Sequence, residues 1–276
     1  MGNPNRFEWI DFAKAIGIFL VFIGHSELPE SLRLRIYMFH MPLFFIISGF
    51  LWNVEGNKNL SFADFLKKKF KAYVIPYFKI AIVCLLIRGV LFNAITLDSV
   101  TFWSTLVKYI YGILIFSRGS VDYLPSCSPI WFLTCLFCAE VIFYWIMKLK
   151  KPMLCIIACF LIAFVINGRS RLVWNIDTAI TVIPFLYIGM MMRKYMQELT
   201  SRVKSALYIP LLTVLSIVAL SVCSWDTSYA GNNYQNMLLS YPSAIVISLT
   251  ILVICKELFS LQTKKPVMAT VWGGKL

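Results

Sequence analysis

The sequence predicts an all-α, polytopic transmembrane helix bundle of about eight spans, and two observations lead to this fold class. First, of the 276 residues 59% are hydrophobic and 14% are charged, and the mean hydropathy is +0.76. Soluble domains carry about 25% charged residues, so the composition indicates a membrane protein. Second, several apolar stretches approach the roughly 20 residues that a helix needs to cross the hydrocarbon core. With no repeat and no separate soluble region, residues 1–276 are expected to form one integral membrane domain.

Each predicted span is an apolar run, and the runs follow one another along the chain. In order, they are residues 12–24, 36–52, 73–90, 130–147, 153–166, 179–192, 207–222 and 240–255. Some runs are short, which indicates tilt, local thinning of the bilayer or packing inside the bundle. Residues 101–116 carry aromatic side chains and Lys108. We expect them to form an amphipathic helix on the outer surface, not a ninth span.

The net charge of +13 is mostly a signal of topology. Alternate loops place 16 lysines and arginines on one side of the membrane and 7 on the other. Short loops rich in positive charge stay in the cytoplasm, so the N-terminus is predicted to be cytoplasmic. The protein is therefore expected in the plasma (inner) membrane, with the lipid bilayer as a partner and no nucleic acid. A cleaved signal peptide is not expected, because Lys14 interrupts the first apolar run.

No metal is expected from the cysteines and histidines. The eight cysteines lie mainly inside apolar runs, where cysteine usually acts as a small hydrophobic residue. Cys135 and Cys138 form a CxxC pattern without a second pair or a nearby histidine. The chain has only two histidines and no HExxH motif, which disfavours a metalloprotease.

The first predicted helix carries three ionisable residues on one face. Lys14 and His25 are eleven residues apart, so they point within about 20° of each other and lie roughly 16 Å apart along the axis. Asp11 lies one turn before Lys14 on the same side. Ionisable groups in a span usually face the interior of the protein or a cavity. Alternatively, Lys14 reaches the cytoplasmic surface with Asp11 as a solvated partner, although this leaves His25 unexplained.

The second histidine, His40, precedes Pro42 in the next span, where proline favours a kink. If the chain turns outside the membrane near residues 27–34, His25 and His40 lie at similar depth on consecutive antiparallel helices. A single histidine in a helix is more often structural. Two histidines at matched depth favour a functional site.

Several blocks, in order, resemble the membrane acyltransferase-3 family, especially sugar O-acetyltransferases similar to fucose 4-O-acetylases. The first is D-x-x-K followed by ten residues and a histidine, ending IGHS. The second is YMFHMPLFFIISGFL. The later blocks are FLKKKFKAYVIPYF, SPIWFLTCLF and PFLYIGMMM. Together they cover most of the chain, and the first two are the specific ones.

The resemblance implies transfer of an acyl group, with acetyl expected, from cytoplasmic acyl-CoA to a hydroxyl of a cell-surface glycan or its lipid-linked precursor. The essential histidine of the family corresponds to His25, and its basic residue corresponds to Lys14. Since the pKa of free histidine is near 6.5, His25 suits a general base, and a transient acyl-histidine is the alternative. His40 is expected to orient the acceptor or to assist proton transfer.

Other candidate residues follow from their charge and position. The basic run at residues 67–71 suits the phosphates of coenzyme A. Alternatively, it anchors the chain to anionic lipid. With the tyrosine that follows it, the predicted donor-binding set is Lys67, Lys68, Lys69, Lys71 and Tyr77. Arg33 and Arg35 lie on the outer loop as acceptor contacts or as solvated charges. Trp131 is an interfacial anchor that the resemblance places at the site, and Glu140 is an ionisable residue within a span.

Two further expectations concern the whole chain. Residues 267–276 resemble the lead-in to another helix of the family, so the sequence predicts that a C-terminal helix is missing. The rival function is a transporter or flippase for a lipid-linked sugar, with Lys14, His25 and Glu140 as its polar path. Transporters usually show internal repeats, and only residues 24–49 form a strong Pro/Gly-interrupted region.

Overall fold

The computed structural model describes residues 7–118, 124, 127–169, 172–198, 202–222 and 226–262, and helices occupy most of these ranges. The predicted missing C-terminal helix concerns residues outside this part of the chain. The α-helices in these ranges are α1 (Glu8–Gly24), α2 (Glu30–Phe50), α3 (Val54–Asn59), α4 (Phe62–Lys69), α5 (Ile75–Cys84), α6 (Asn93–Thr96), α7 (Ser99–Tyr111), α8 (Trp131–Lys148), α9 (Pro152–Ile166), α10 (Ile176–Glu198), α11 (Arg202–Val222) and α12 (Met237–Gln262).

The predicted all-α membrane fold is confirmed. Each of the apolar runs identified in the sequence lies wholly or almost wholly in helical structure. In the described ranges the strands are β1 (Thr227–Ser228) and β2 (Asn233–Tyr234), which pair as a short antiparallel hairpin. By length and composition, five described helical segments can cross a membrane: Phe62–Thr96, Ser99–Phe116, Ser128–Lys148, Val173–Tyr195 and Met237–Ser260. Pro152–Ile166 and Leu207–Val222 are shorter apolar helices.

The third predicted span belongs to a longer helix, Phe62–Thr96, in which α4, α5 and α6 are joined by π-helical turns. It begins eleven residues before the predicted start at residue 73, because Ser61 caps it: the Ser61 hydroxyl accepts the Asp64 N–H at 3.1 Å. The run of closely spaced lysines from Lys67 to Lys71 delayed the predicted start. The first π-helical turn, Phe70–Val74, precedes Pro76, which cannot donate the usual backbone hydrogen bond.

The segment Ser99–Phe116, predicted as an amphipathic helix on the outer surface, is helical, and by length and composition it can cross a membrane. It runs antiparallel along the second half of Phe62–Thr96: a Cβ on Gly89 would lie 3.2 Å from the Tyr109 ring, and the Tyr77 hydroxyl donates to the Ile113 carbonyl at 2.8 Å. On the side away from that helix, its apolar side chains are suited to contact lipid. The weak amphipathic pattern in the sequence did not reveal this packing. Asp98 caps its start, and hydrogen bonds from Thr101 and Val100 hold the pKa of the Asp98 carboxyl below its ordinary value.

The chain divides into two compact units, and the first contains α1, α2 up to Phe44, α11 and α12 from Pro242. Inside this unit, α1 and α12 meet through the rings of Phe12 and Phe259, whose centroids are 5.7 Å apart. The hydroxyls of Ser216 on α11 and Thr250 on α12 are 2.8 Å apart. Such hydrogen bonds between apolar helices are typical of membrane bundles.

The second unit contains residues 45–198 and 225–241. Its closest helix contact joins the end of α2 to α10, where Gly49 faces the backbone of Leu186 and Gly189 faces the backbone of Ile46. A Cβ at either glycine would overlap a carbonyl group of the other helix. Glycine is therefore required for the two backbones to approach this closely. α10 also packs against α8 and α9.

Candidate functional site

The polar face predicted for the first helix is present on α1. Lys14 Nζ lies 3.3 Å from Asp11 Oδ1, and the two side chains are 39% and 37% exposed. Ala13 and Gly17, on the neighbouring face, are buried. Since α1 is continuous up to the residue before His25, Lys14 and His25 project within about 20° of each other and about 16 Å apart. The structure thus keeps both residues along one side of the helix.

His25 ends α1 with its imidazole held by the helix itself. Nδ1 lies 2.9 Å from the carbonyl oxygen of Val21, one turn earlier. A carbonyl oxygen only accepts, so Nδ1 carries the hydrogen and Nε2 carries the lone pair of the neutral ring. The side chain is exposed. This is the tautomer and the exposure that a general base requires.

The second histidine is held in the same way, and an aromatic ring separates the two. His40 is buried, and its Nδ1 donates to the Ile36 carbonyl at 2.8 Å. The Tyr37 ring lies between them, with centroids 5.8 Å from the His25 ring and 5.2 Å from the His40 ring. Gly24 makes room for it, since a Cβ there would lie 2.9 Å from Tyr37 Cε1. Sequence reasoning placed the histidines at similar depth but missed Tyr37, which lies in the same block as His40.

Glu140 has the partner that the sequence left unnamed. Its carboxylate lies 2.5 Å from Lys69 Nζ and accepts the Tyr73 hydroxyl at 3.0 Å. The Lys69 ammonium also lies 5.6–5.7 Å from the ring centroids of Trp52, Phe65 and Tyr73. Burial of these two charges is compensated by direct pairing and by the faces of the aromatic rings.

The basic run therefore separates into different environments. Lys69 is 14% exposed and paired with Glu140. Lys67, Lys68 and Lys71 are exposed. Lys68 also lines a cavity of about 110 Å³ next to the Lys69–Glu140 pair. Lys68 is thus an exposed cation of the run that adjoins a partly open cavity.

Two aromatic candidates are buried in the fold. The Tyr77 hydroxyl is engaged with the Ile113 carbonyl, and the side chain has no exposed area. Trp131 is 5% exposed, and its carbonyl accepts the Thr134 hydroxyl at 2.9 Å. An interfacial anchor is usually exposed at one edge, so this burial favours an internal packing position for Trp131.

The two arginines of the predicted outer loop differ. Arg33 is exposed and lies 3.8 Å from the Glu30 carboxylate, one turn earlier. Arg35 is half-buried, and its Nε donates to the Leu220 carbonyl at 2.8 Å, which ties α2 to the end of α11. Arg33 is thus the more accessible of the two.

Sequence reasoning missed a buried polar cluster formed by Ser117, Arg118, Thr134, Asn175 and Asp177. Arg118 pairs with the Asp177 carboxylate, and the Asn175 amide donates to the Ser117 carbonyl at 2.9 Å and to the Thr134 hydroxyl at 3.2 Å. Ser117 and Asn175 adopt positive φ angles of 45° and 57°. Such strained positions persist only where the surroundings hold them. Nothing in the sequence spacing of Arg118 indicates Asp177 as its partner.

A larger cavity of about 560 Å³ lies beside Trp52 and Asn53 in the second unit. Its lining includes Met190, Arg193 and Lys194 from α10. The sequence attributed these two cations to topology alone. Within the described ranges, no group of three or more His, Cys, Asp or Glu residues is placed to hold a metal ion.

Comparison with known proteins gives one finding. A family model described as the acyltransferase domain of the acyltransferase-3 type matches residues 7–275. Among curated proteins and among solved structures, nothing matches significantly.

Proposed function

Because the chain belongs to the acyltransferase-3 family, we propose that it is a multi-pass membrane enzyme that transfers an acetyl group from cytoplasmic acyl-CoA to a hydroxyl group. The proposed acceptor is a cell-surface glycan or its lipid-linked precursor. The proposed setting is the bacterial inner membrane with a cytoplasmic N-terminus, in agreement with the excess of Lys and Arg in alternate loops.

The observation that carries the proposal is the hydrogen bond from His25 Nδ1 to the Val21 carbonyl. It leaves Nε2 as the basic atom of an exposed imidazole at the end of a helix. The same helix carries Lys14 about 16 Å away on the same side. An extended pantetheine arm has the length to cover the distance from Lys14 to a thioester near His25.

The chemistry requires one base and one positioned acceptor. Nε2 of His25 takes the proton of the acceptor hydroxyl, and the oxygen attacks the thioester carbonyl carbon. The C–S bond breaks, and the coenzyme A sulfur leaves with the proton returned by the imidazolium. An ester forms and the imidazole is regenerated. His40 and Tyr37 hold the surroundings of His25, and Arg33 is the proposed contact for the acceptor.

The test uses membranes that contain the protein, acetyl-CoA radiolabelled in the acetyl group, and isolated glycan. We expect label in the glycan as an alkali-labile ester, lost in His25→Ala. A parallel sample carries the label in the nucleotide part of coenzyme A, and no label should reach the glycan from it.

The outcomes separate transfer from transport. Movement of intact lipid-linked sugar across the membrane, without transfer of acetyl label, would favour the flippase hypothesis. Label transfer that persists in His25→Ala would contradict the proposed role of this imidazole while leaving the reaction itself intact.

A further inference from the structure

Three neighbouring cavities surround Trp52 in the second unit. Their volumes are about 560, 110 and 30 Å³, and Trp52 lines all three. Asn53 lines the two larger ones, and Asn57 lines the two smaller ones. This surface, the Trp52 pocket, is therefore a set of adjacent cavities around one indole ring.

Positive charge dominates the Trp52 pocket. Among its described lining residues there are six cations and two carboxylates. The cations are Lys58, Lys68, Lys69, Lys148, Arg193 and Lys194, and the carboxylates are Glu55 and Glu140. Glu140 is neutralised by Lys69 at 2.5 Å, which leaves one carboxylate against five cations. A concave surface with this balance attracts a ligand that carries several negative charges.

The helix ends that form the Trp52 pocket precede loops rich in Lys and Arg. Trp52 follows the end of α2, Met147 lies at the end of α8, and Arg193 lies in the last turns of α10. All three connections are those predicted to be cytoplasmic from their charge. An anionic ligand in this pocket would thus come from the cytoplasm.

Size and chemistry narrow the ligand further. Cavities of about 300–1,000 Å³ accommodate ligands of nucleotide size. The thioether side chains of Met147, Met190 and Met191 line the largest cavity beside Trp52, and such side chains adapt to a planar ring. Arg193 and Lys194 supply the charge for phosphate at the same cavity.

We propose that the Trp52 pocket binds the phosphorylated nucleotide end of the thioester donor, with Arg193 and Lys194 contacting its phosphates. This inference rests on the proposed function, since it assumes coenzyme A as the carrier. It places the phosphates on α10. From the basic run Lys67–Lys71, Lys68 and Lys69 line the pocket, and Lys69 is already paired with Glu140. Lys67 and Lys71 are left to the anionic membrane surface.

The experiment measures binding of coenzyme A to the purified full chain in nanodiscs of zwitterionic lipid by calorimetry. We expect Arg193→Gln with Lys194→Gln to weaken binding about 100-fold, since each variant residue loses a charged hydrogen bond of about 1.5 kcal/mol or more and every 1.4 kcal/mol or so corresponds to tenfold. The matched control, Lys150→Gln with Lys151→Gln, removes two exposed cations on the same predicted side that do not line the pocket. It should change affinity less than about twofold.

Two further arms make the result specific. Arg193 Nη1 also donates to the Phe50 carbonyl at 3.4 Å, so the exposed Lys194→Gln alone is tested as a variant that leaves this contact intact. Coenzyme A lacking its 3′-phosphate should bind more weakly to the wild type, and its affinity should fall less in the double variant.

The failures are distinguishable. Equal affinity of wild type and both α10 variants for coenzyme A would overturn the pocket assignment, while acetyl transfer by the wild type would still support the proposed function. Absence of both coenzyme A binding and acetyl transfer in the wild type would overturn both. Loss of coenzyme A binding when anionic phosphatidylglycerol replaces zwitterionic lipid would assign the pocket to a lipid headgroup instead.

Discussion

At the scale of single residues, the imidazole of His25 is oriented by its own helix. The Val21 carbonyl in the last turn of α1 accepts the backbone N–H of His25 at 3.2 Å and also its Nδ1–H at 2.9 Å. The ring is thus oriented by a hydrogen bond within α1, and Tyr37 of α2 lies beside it. Its partner across the Tyr37 ring, His40, uses the same geometry but is buried. Exposure is what distinguishes the proposed base from His40.

The first residue-scale prediction concerns His25→Gln. Glutamine keeps a hydrogen-bonding side chain at the end of α1 but has no basic nitrogen, so the rate of acetyl transfer should fall about 100-fold or more with little change in KM. Ser26→Ala is the matched control, because its hydroxyl only donates to the Ile23 carbonyl at the same helix end. Steady-state kinetics with acetyl-CoA check both. Comparable rates for His25→Gln and Ser26→Ala would rule out a general base at this position.

The second residue-scale prediction compares two ion pairs of different burial. Glu140→Gln leaves the Lys69 ammonium without its counter-charge in a buried setting, so it should lower the free energy of unfolding by about 3–5 kcal/mol. Asp11→Asn breaks the more exposed pair with Lys14 and should cost no more than about 1 kcal/mol. Thermal unfolding in detergent measures both. Lys69→Met together with Glu140→Leu should recover part of the loss, and equal costs for the two single variants would show that burial does not set the strength of these pairs.

At the scale of elements, close approach of helices depends on glycine where the membrane offers no hydrophobic driving force between them. The end of α2 and the middle of α10 meet through Gly49 and Gly189, each against the backbone of the other helix. Backbone atoms have no rotamer with which to move aside. This crossing also brings Trp52, which follows α2, next to Arg193 of α10 at the cavity.

The crossing makes Gly49→Ala and Gly189→Ala destabilising, by about 1–3 kcal/mol each, because the two helices must separate. Once separated by one methyl group they have more room for the second, so the double variant should cost less than the sum. Gly56→Ala is the comparison and should cost less, because an added Cβ there meets the Asn53 side chain and not backbone, and moving that side chain loses only its hydrogen bond from the Gly56 N–H. Thermal unfolding checks the series. Additive costs, or an effect of Gly56→Ala as large as the others, would contradict the close crossing.

The placement of Ser99–Phe116 can be tested separately. The alternatives are a helix that crosses the membrane along Phe62–Thr96 and the surface helix that the sequence predicted. Val100 and Val107 are 77% and 64% exposed and seven residues apart, so they lie on one face of α7. If the segment descends along Phe62–Thr96, cysteine at 100 should react with a membrane-impermeant maleimide and cysteine at 107 should be protected by lipid. The native cysteines are first replaced by serine. Equal labelling at both positions would support the predicted surface helix instead.

At the scale of the whole molecule, the apolar character that the bilayer requires of a membrane helix made the spans predictable from the sequence. A helix in hydrocarbon is apolar over most of its length, so the runs at 153–166 and 207–222 could be predicted from the sequence alone. The face shared by Lys14 and His25 was also predictable, because one helix fixes both positions. Regular geometry over short distances was enough for these features.

What the sequence did not reveal depends on residues that are distant along the chain. Glu140 meets Lys69 from 71 positions away, and Arg118 meets Asp177 from 59 positions away. No periodicity links such pairs. The start of the Phe62–Thr96 helix was missed for a different reason. The cluster of lysines at 67–71 interrupts the apolar pattern, while Ser61 caps the helix before it. The helix cap and the ion pairs between distant residues could therefore be identified only from the three-dimensional structure.

The most direct test of the central claim, that this chain transfers acetyl groups to a glycan hydroxyl through His25, is mass spectrometry of the surface glycan. Cells that carry the wild type, His25→Ala or no copy of the gene are compared, with protein levels in the membrane matched by blotting. We predict an O-acetyl ester on the glycan of wild-type cells alone. An identical ester content in all three, or acetylation that survives in His25→Ala, would contradict the account.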